Sequence, residues 1–292
     1  MTPLHYKKID AFTAGRSSGN PAACIHLQAG QTLTPEEMQR IAAAHKGFVS
    51  EVVYCTPEGA GRFALRYYSS ECEVEFCGHG TIACMYDLLK SNQALACLPA
   101  VSIDTPKGQL TVFNELAALD AIFISAPAPE FLTTAVDAAS AAEALGIPLD
   151  SIARAHPIQL VNAGLNTLIV PIEKLTIALS MHPHEEELKA FCLARNIDII
   201  LIFCKEVSDP KSFIRTRVFA PKFGYLEDKA TGSGNSALGY YMLQNGLWDG
   251  DPIRIEQNGE PAAYNIVHLK AAGEEVLFGG RAAVKIEGEY YL

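Results

Sequence analysis

The chain has 292 residues, 49% hydrophobic and 19% charged, a composition that fits one large or two ordinary globular domains and excludes a disordered or fibrous protein. Lys and Arg number 23 against 33 Asp and Glu, a net charge of −10, and the basic residues are scattered, so neither nucleic acid nor anionic membrane is expected as a partner. Met1–Lys8 has no apolar core of signal-peptide length and no apolar run approaches a membrane span, so a cytoplasmic protein is expected. Eight Cys without close repeated pairs read as reduced, buried thiols and not as a disulfide framework.

In chain order, residues 5–12 alternate as a strand and lead through Gly19-Asn20-Pro21 into a second strand at Ala22–Leu27. Thr34, Pro35 and Glu37 form a helix start, followed by Met38, Ile41 and Ala42 at helical spacing. Val49–Cys55 and Arg62–Tyr68 read as strands that deliver the chain to a glycine turn at Gly78-His79-Gly80. Val101–Thr105 and Gln109–Phe113 flank Pro106-Lys107-Gly108 as a hairpin. The Ala- and Pro-bearing stretch Ser125–Glu130 is the expected boundary between domains at 1–126 and 127–292, and a helix capped near Ser140 and ended by Gly146 follows it. The order then restarts. Ile158–Val170 gives strand, loop and strand, Glu185–Arg195 a helix, and Ile197–Cys204 and Phe213–Phe219 two more strands. Glu275–Leu292 reads as two strands joined through glycines that close the structure, with a return to the first half left open.

The restart is a duplication. Glu71–Lys90 and Lys229–Gln244 align without gaps, so that Gly78 meets Gly232, Gly80 meets Gly234, Ala83 meets Ala237, Tyr86 meets Tyr240 and Leu89 meets Leu243. Each copy is a glycine-punctuated turn entering an apolar helix, whose first backbone N–H groups attract anions. Two such ends in two related halves suggest a site between the halves that grips a carboxylate or phosphate. The amides of Gly78, His79 and Gly80 and of Gly232, Ser233 and Gly234 are the expected donors.

Several side chains stand out beside these turns. With Cys55 set against Cys204, Glu51 corresponds to Ile200, which places a carboxylate at the mouth of an apolar strand. It reads either as a solvated strand-end Glu or as a desolvated acid/base with a raised pKa. His79 lies in the first turn of its helix, where the helix N-terminus favours a neutral imidazole able to relay a proton; a capping histidine is the alternative. Asp228 replaces Val74 of the first half, and is either substrate-orienting or a turn-forming Asp. Cys77 and Thr231 are equivalent. With one thiol and one hydroxyl, symmetrical two-thiol proton exchange is disfavoured, and a buried structural Cys77 stays open. Cys72, Cys77 and His79 lack a CxxC pair or a second ligand cluster, so no metal is expected, and no glycine run has the spacing of a dinucleotide fingerprint or P-loop.

Taken together, Ile9-Asp10-Ala11-Phe12-Thr13 with Gly19-Asn20-Pro21, Ser50-Glu51 at a strand start, Phe76-Cys77-Gly78-His79, Glu227–Ser233 and Phe278-Gly279-Gly280 resemble, in order and from end to end, the PhzF-like family. That family is named for a phenazine biosynthesis isomerase and related to diaminopimelate epimerase and proline racemase. The resemblance implies an α/β, diaminopimelate epimerase-like fold: two pseudo-symmetric domains, each a curled sheet around a central helix, with the active site in the cleft between them. It further implies a cofactor-independent isomerase of a small carboxylate-bearing metabolite, in a homodimer. Glu51 matches the catalytic glutamate, His79 and Asp228 the orienting and proton-handling residues, Ser233 the substrate-binding serine, and Asn20 a further substrate contact. Dehydration or epimerisation through Cys77 with Thr231, or metabolite binding without turnover, are the alternatives. Lys229 stands where the family usually has proline.

Overall fold

Short runs rich in β-branched and aromatic residues, separated by Gly and Pro, dictate a strand-dominated chain. The computed structural model describes residues 3–28 and 30–292. Its strands are β1 (Leu4–Ala11), β2 (Asn20–His26), β3 (Glu51–Gly59), β4 (Arg62–Ser69), β5 (Glu73–Val74), β6 (Ala100–Thr105), β7 (Gly108–Glu115), β8 (Ala121–Ser125) and β9 (Glu130–Leu132). They continue as β10 (Gln159–Asn162), β11 (Asn166–Pro171), β12 (Ile199–Cys204), β13 (Ile214–Phe219), β14 (Glu227–Asp228), β15 (Ile253–Gln257), β16 (Asn265–Ala272), β17 (Glu275–Gly280) and β18 (Ala282–Tyr290). Two units divide them. One holds the residues up to Thr13 with Ser18–Ser125 and Gly279–Leu292, the other Ala14–Ser17 and Ala126–Phe278.

The duplication read from the glycine turns extends to the strand pairing. In the first unit β1 and β2 are antiparallel, β2 and β3 parallel, β3 and β4 antiparallel, and β4 pairs antiparallel with β5 and parallel with β6. The second unit repeats each step with β10 and β11, β11 and β12, β12 and β13, then β13 with β14 and β15. On its outer side β10 is paired by the neighbouring segment β9, whereas β1 is paired by β18, the last strand of the chain, with His5 opposite Glu289.

Alternation along β3 sorts two environments. Val52 and Tyr54 join Met38, Ile41 and Ala42 of the Pro35–Ala44 helix in one core. Glu51, Val53 and Cys55 point to the opposite face by strand periodicity, the side where the Gly78–Ser91 helix packs. That helix and its repeat counterpart, Gly232–Gln244, are the central helices of their units; the latter is buried on nearly every side, as an apolar helix without a polar face must be.

Local signals behave as the sequence dictates, with two corrections. Thr34 and Glu37 form a reciprocal capping box, and Asp104 and Thr105 pair with Gln109 and Gly108 in the hairpin. The Ala138–Leu145 helix is capped by Asp137 and not by Ser140; Ser140 is the third helical residue, and its hydroxyl returns the bond to the Asp137 amide. The eight cysteines are free thiols, but Cys72 and Cys97 are exposed. No helix among the described residues is long and apolar enough to cross a membrane.

The Phe278-Gly279-Gly280 segment has a steric reason. A Cβ on Gly279 would stand 2.1 Å from the Ile122 carbonyl oxygen, a backbone atom that cannot swing aside. Gly279→Ala should therefore lower the free energy of urea unfolding by about 1–3 kcal/mol, as overpacking does. Gly288→Ala, whose new Cβ meets nothing within 4 Å, should stay within about 0.5 kcal/mol of the parent. Equal effects of the two substitutions would refute the steric account.

Candidate functional site

In the first unit the site grows from the end of β4 through β5 into the first turn of the Gly78–Ser91 helix. Cys77 is the N-cap residue in extended conformation, and its sulfur accepts from the Gly80 amide at 3.3 Å. Its carbonyl accepts from the Thr81 amide and hydroxyl, and that hydroxyl meets Tyr67 Oη at 2.7 Å. Gly80 has no room for a side chain, since a Cβ would stand 2.7 Å from Val53 Cγ2. This close approach of helix to strand brings His79 beside Glu51: Nε2 lies 3.2 Å from Glu51 Oε2, while Nδ1 is 3.5 Å from Cys77 Sγ.

Both charged side chains are mostly buried, and the geometry at Oε2 falls short of a hydrogen bond, so that oxygen is shut from solvent with a charged neighbour but no hydrogen-bond donor. The electrostatics reverse two expectations. Burial by itself raises Glu51, but the charge of His79 beside it, helped by Cys77, outweighs this and holds the carboxyl below the usual carboxylate range. Burial disfavours a charged His79, yet the Cys77 sulfur and the Glu51 carboxylate raise it well above the ordinary histidine range. A neutral imidazole was expected because the helix end alone was weighed. Burial also raises Cys77, so at neutral pH the sulfur is a thiol, while the lowered Glu51 is a carboxylate.

The pair links protonation to stability in two directions. Glu51, with its depressed pKa, stabilises the fold above the unfolded carboxylate pKa and loses this as pH falls through its folded value. His79, with its raised pKa, contributes below the unfolded histidine pKa and loses this as pH rises through its folded value.

The second unit builds its turn differently. Thr231 is again an extended N-cap residue, but its side chain makes no capping bond; its hydroxyl donates to Asp228 Oδ2 at 2.5 Å. The amides of Gly232, Ser233 and Gly234 thus precede the helical ladder without a side-chain cap, whereas in the first unit Gly80 is already occupied by Cys77. Gln257 holds the turn from β15: Oε1 accepts from the Thr231 amide at 3.0 Å and from Asn235 Nδ2 at 2.6 Å, and Nε2 donates to the Asp228 carbonyl and the Thr231 hydroxyl. A Cβ on Gly232 would enter the Phe278 ring, at 2.2 Å from Cε2.

Glu51, Cys77, Gly78, His79 and Gly80 come together in the first unit, and Asp228, Thr231, Gly232, Ser233 and Gly234 in the second. Asn20 begins β2, buried and opposite Ala11. Ser233 is partly exposed and Lys229 exposed. Tyr67, Asn235 and Gln257 were not singled out from the sequence. Their only signal is a polar group within an apolar strand or helix. Glu51, Cys77 and His79 also present three ligand atoms within 4.8 Å of one another, a donor set that a divalent cation could use.

Two measurements check this geometry. In His79→Gln the carboxyl loses its charged partner but keeps its burial, so the Glu51 pKa followed by carbon NMR should rise; an unchanged or lower value would contradict the ion pair. Gln257→Leu strands the Thr231 amide, while Asn235 Nδ2 keeps only its bond to the Thr231 carbonyl, and should cost about 1–3 kcal/mol for the buried amide left unpaired, read from urea unfolding.

The comparisons agree with one another. A family model described as phenazine biosynthesis-like protein matches residues 9–288. YfhB, an uncharacterized isomerase of Bacillus subtilis, is 31% identical over 89% of this chain and 88% of its own. The trans-2,3-dihydro-3-hydroxyanthranilate isomerase of Pseudomonas fluorescens is 27% identical over 92% of this chain and 91% of its own. The crystal structure of a PhzF-family phenazine biosynthesis protein from Bacillus anthracis superposes with a TM-score of 0.84 at 27% identity, covering all of both chains. With its duplicated α/β fold, this chain belongs to the phenazine biosynthesis-like, PhzF family of isomerases.

Proposed function

We propose that the protein catalyses isomerisation of a small carboxylate-bearing metabolite by moving a proton from one carbon to another. The observation that carries this reading is Glu51 Oε2, buried, ionised and without a hydrogen-bond donor, 3.2 Å from His79 Nε2. A carboxylate in that state is a base with its lone pairs available. It takes the proton from the substrate carbon, becomes the neutral acid that burial favours, and returns the proton elsewhere on the same molecule. His79 keeps the resting carboxylate ionised and orients it. Gly78, His79 and Gly80 belong to the turn that places the base, and Gly80 acts sterically because its amide serves Cys77.

The uncapped amides of Gly232, Ser233 and Gly234 bind the substrate carboxylate, with Asp228, held by Thr231, and Asn20 as orienting groups. Preorganised donors of this kind also stabilise charge developing on an enolate or enamine. The name of the Pseudomonas fluorescens relative makes trans-2,3-dihydro-3-hydroxyanthranilate the first compound to try. The family resemblance extends the proposal to a homodimer.

One contact favours a second reading, the 3.5 Å approach of Cys77 Sγ to His79 Nδ1, which could turn the thiol into an acid/base for dehydration or epimerisation.

Proton NMR in deuterated water, with that compound, hydroxyproline and a panel of amino and hydroxy acids, tests both readings. Glu51→Gln should lower turnover of the converted compound by about 10²-fold or more, the usual worth of a positioned acid/base. Full turnover in Glu51→Gln sinks the proposal. Protection of Cys77 from alkylation by substrate, with a larger loss in Cys77→Ala than in Glu51→Gln, would move the chemistry to the thiol.

A further inference from the structure

Farther along the face of β3 that carries Glu51, a second group of ligating side chains converges. His26 and Cys55 are register partners on the parallel strands β2 and β3, and Cys84 reaches them from the Gly78–Ser91 helix. Their ligand atoms all lie within 4.8 Å of one another. Cys55 and Cys84 are buried; His26 is partly exposed as a residue, but its Nε2 is buried without a hydrogen-bond partner. A buried ring nitrogen left unpaired beside two thiols costs free energy in the metal-free protein, and a bound cation removes that cost.

We propose that His26, Cys55 and Cys84 form a binding site for a thiophilic divalent cation of the Zn2+ class. Softness selects the class, since two sulfurs and an imidazole are poor ligands for Mg2+ or Ca2+. Charge selects the valence: two thiolates, a neutral imidazole and a dication sum to zero, the total a buried site tolerates best. On binding, the two thiols release two protons to solvent, two metal–sulfur bonds and one metal–nitrogen bond form, and nothing is oxidised or reduced. Metal–sulfur bonds of about 2.3 Å and metal–nitrogen bonds of about 2.0–2.1 Å set the donors about 3.5–4 Å apart, which the present arrangement reaches by closing any donor pair by at most about 1.3 Å. The ring of His26 lies tilted against that of the partly exposed His5, 5.7 Å between centroids. The site is separate from the Glu51, Cys77 and His79 group, though both lie against one helix.

Titration of Co2+ into the metal-free full chain tests the assignment. One Co2+ per chain is expected, with sulfur-to-cobalt charge-transfer absorption that Zn2+ displaces. His26→Gln, at a position near the surface, and Cys84→Ala should weaken Zn2+ binding at least about tenfold, no less than the loss of an outer partner does. Cys77→Ser and His79→Gln, which dismantle the neighbouring group, should leave the absorption in place. No charge-transfer absorption in the parent overturns the proposal. So does its survival in both His26→Gln and Cys84→Ala, or its loss in Cys77→Ser with retention in His26→Gln. Near-UV circular dichroism identifies a variant that has failed to fold, and His26→Gln decides if Cys84→Ala does.

Discussion

The contact of Gly80 with Val53 is the constraint on which the first unit's chemistry depends. A strand shows every second residue to one face, so Glu51, Val53 and Cys55 form a row, and a helix starting directly on Val53 must lie along that row. Pressing Gly80 onto Val53 fixes what lies to either side: His79 against Glu51 in one direction and Cys84 against Cys55 in the other. A methyl group on Gly80 would lift the helix and loosen both. The same steric device recurs in the second unit, where Gly232 lies under the Phe278 ring and Gly234 approaches Ile199.

The two units spend this shared geometry on different ends. In the first, the cap sulfur of Cys77 occupies a turn amide and the added side chains are an acid and a base. In the second, Thr231 turns to Asp228, a buried amide side chain from β15 takes over the structural duty, and the turn amides stay uncapped. Duplication supplied two equal helix ends, and a few polar replacements at equivalent positions, Asp228 for Val74 and Glu51 for Ile199, made them unequal. The strand register makes Ile199 the counterpart of Glu51, and not Ile200 as the alignment of Cys55 with Cys204 implied, because Ile200 is the equivalent of Val52 and faces the core on the other side of the strand.

Much of this was legible in the sequence because it is local or repeated. The Thr34 to Glu37 box, the hairpin at Pro106, and the gap-free match of Gly78 with Gly232 each rest on residues a few positions apart or on one pattern seen twice. The failures share a cause as well. Asp137 was passed over because a Ser-x-x-Glu spacing was available and the Asp-to-Ser version is equally good chemistry. Glu51 and His79 were expected with their pKa directions reversed because each was weighed against its own element, and the partner that decides the sign arrives from another. Gln257, Asn235 and the His26, Cys55, Cys84 group join different elements, and no spacing along the chain announces them.

The pairing of β1 with β18 gives the chain a temporal order. β1 waits for β18, which is made only after the other strands of both units. The second unit takes the equivalent strand, β9, from the segment next to it and can complete its own pairing earlier. Non-local strand pairing is slow because it must close a long loop before it gains a ladder. During synthesis the N-terminal unit therefore carries an open strand edge, the kind of surface that invites pairing with another chain. Completion of the second unit brings the chain out at Gly279, one strand from sealing that edge.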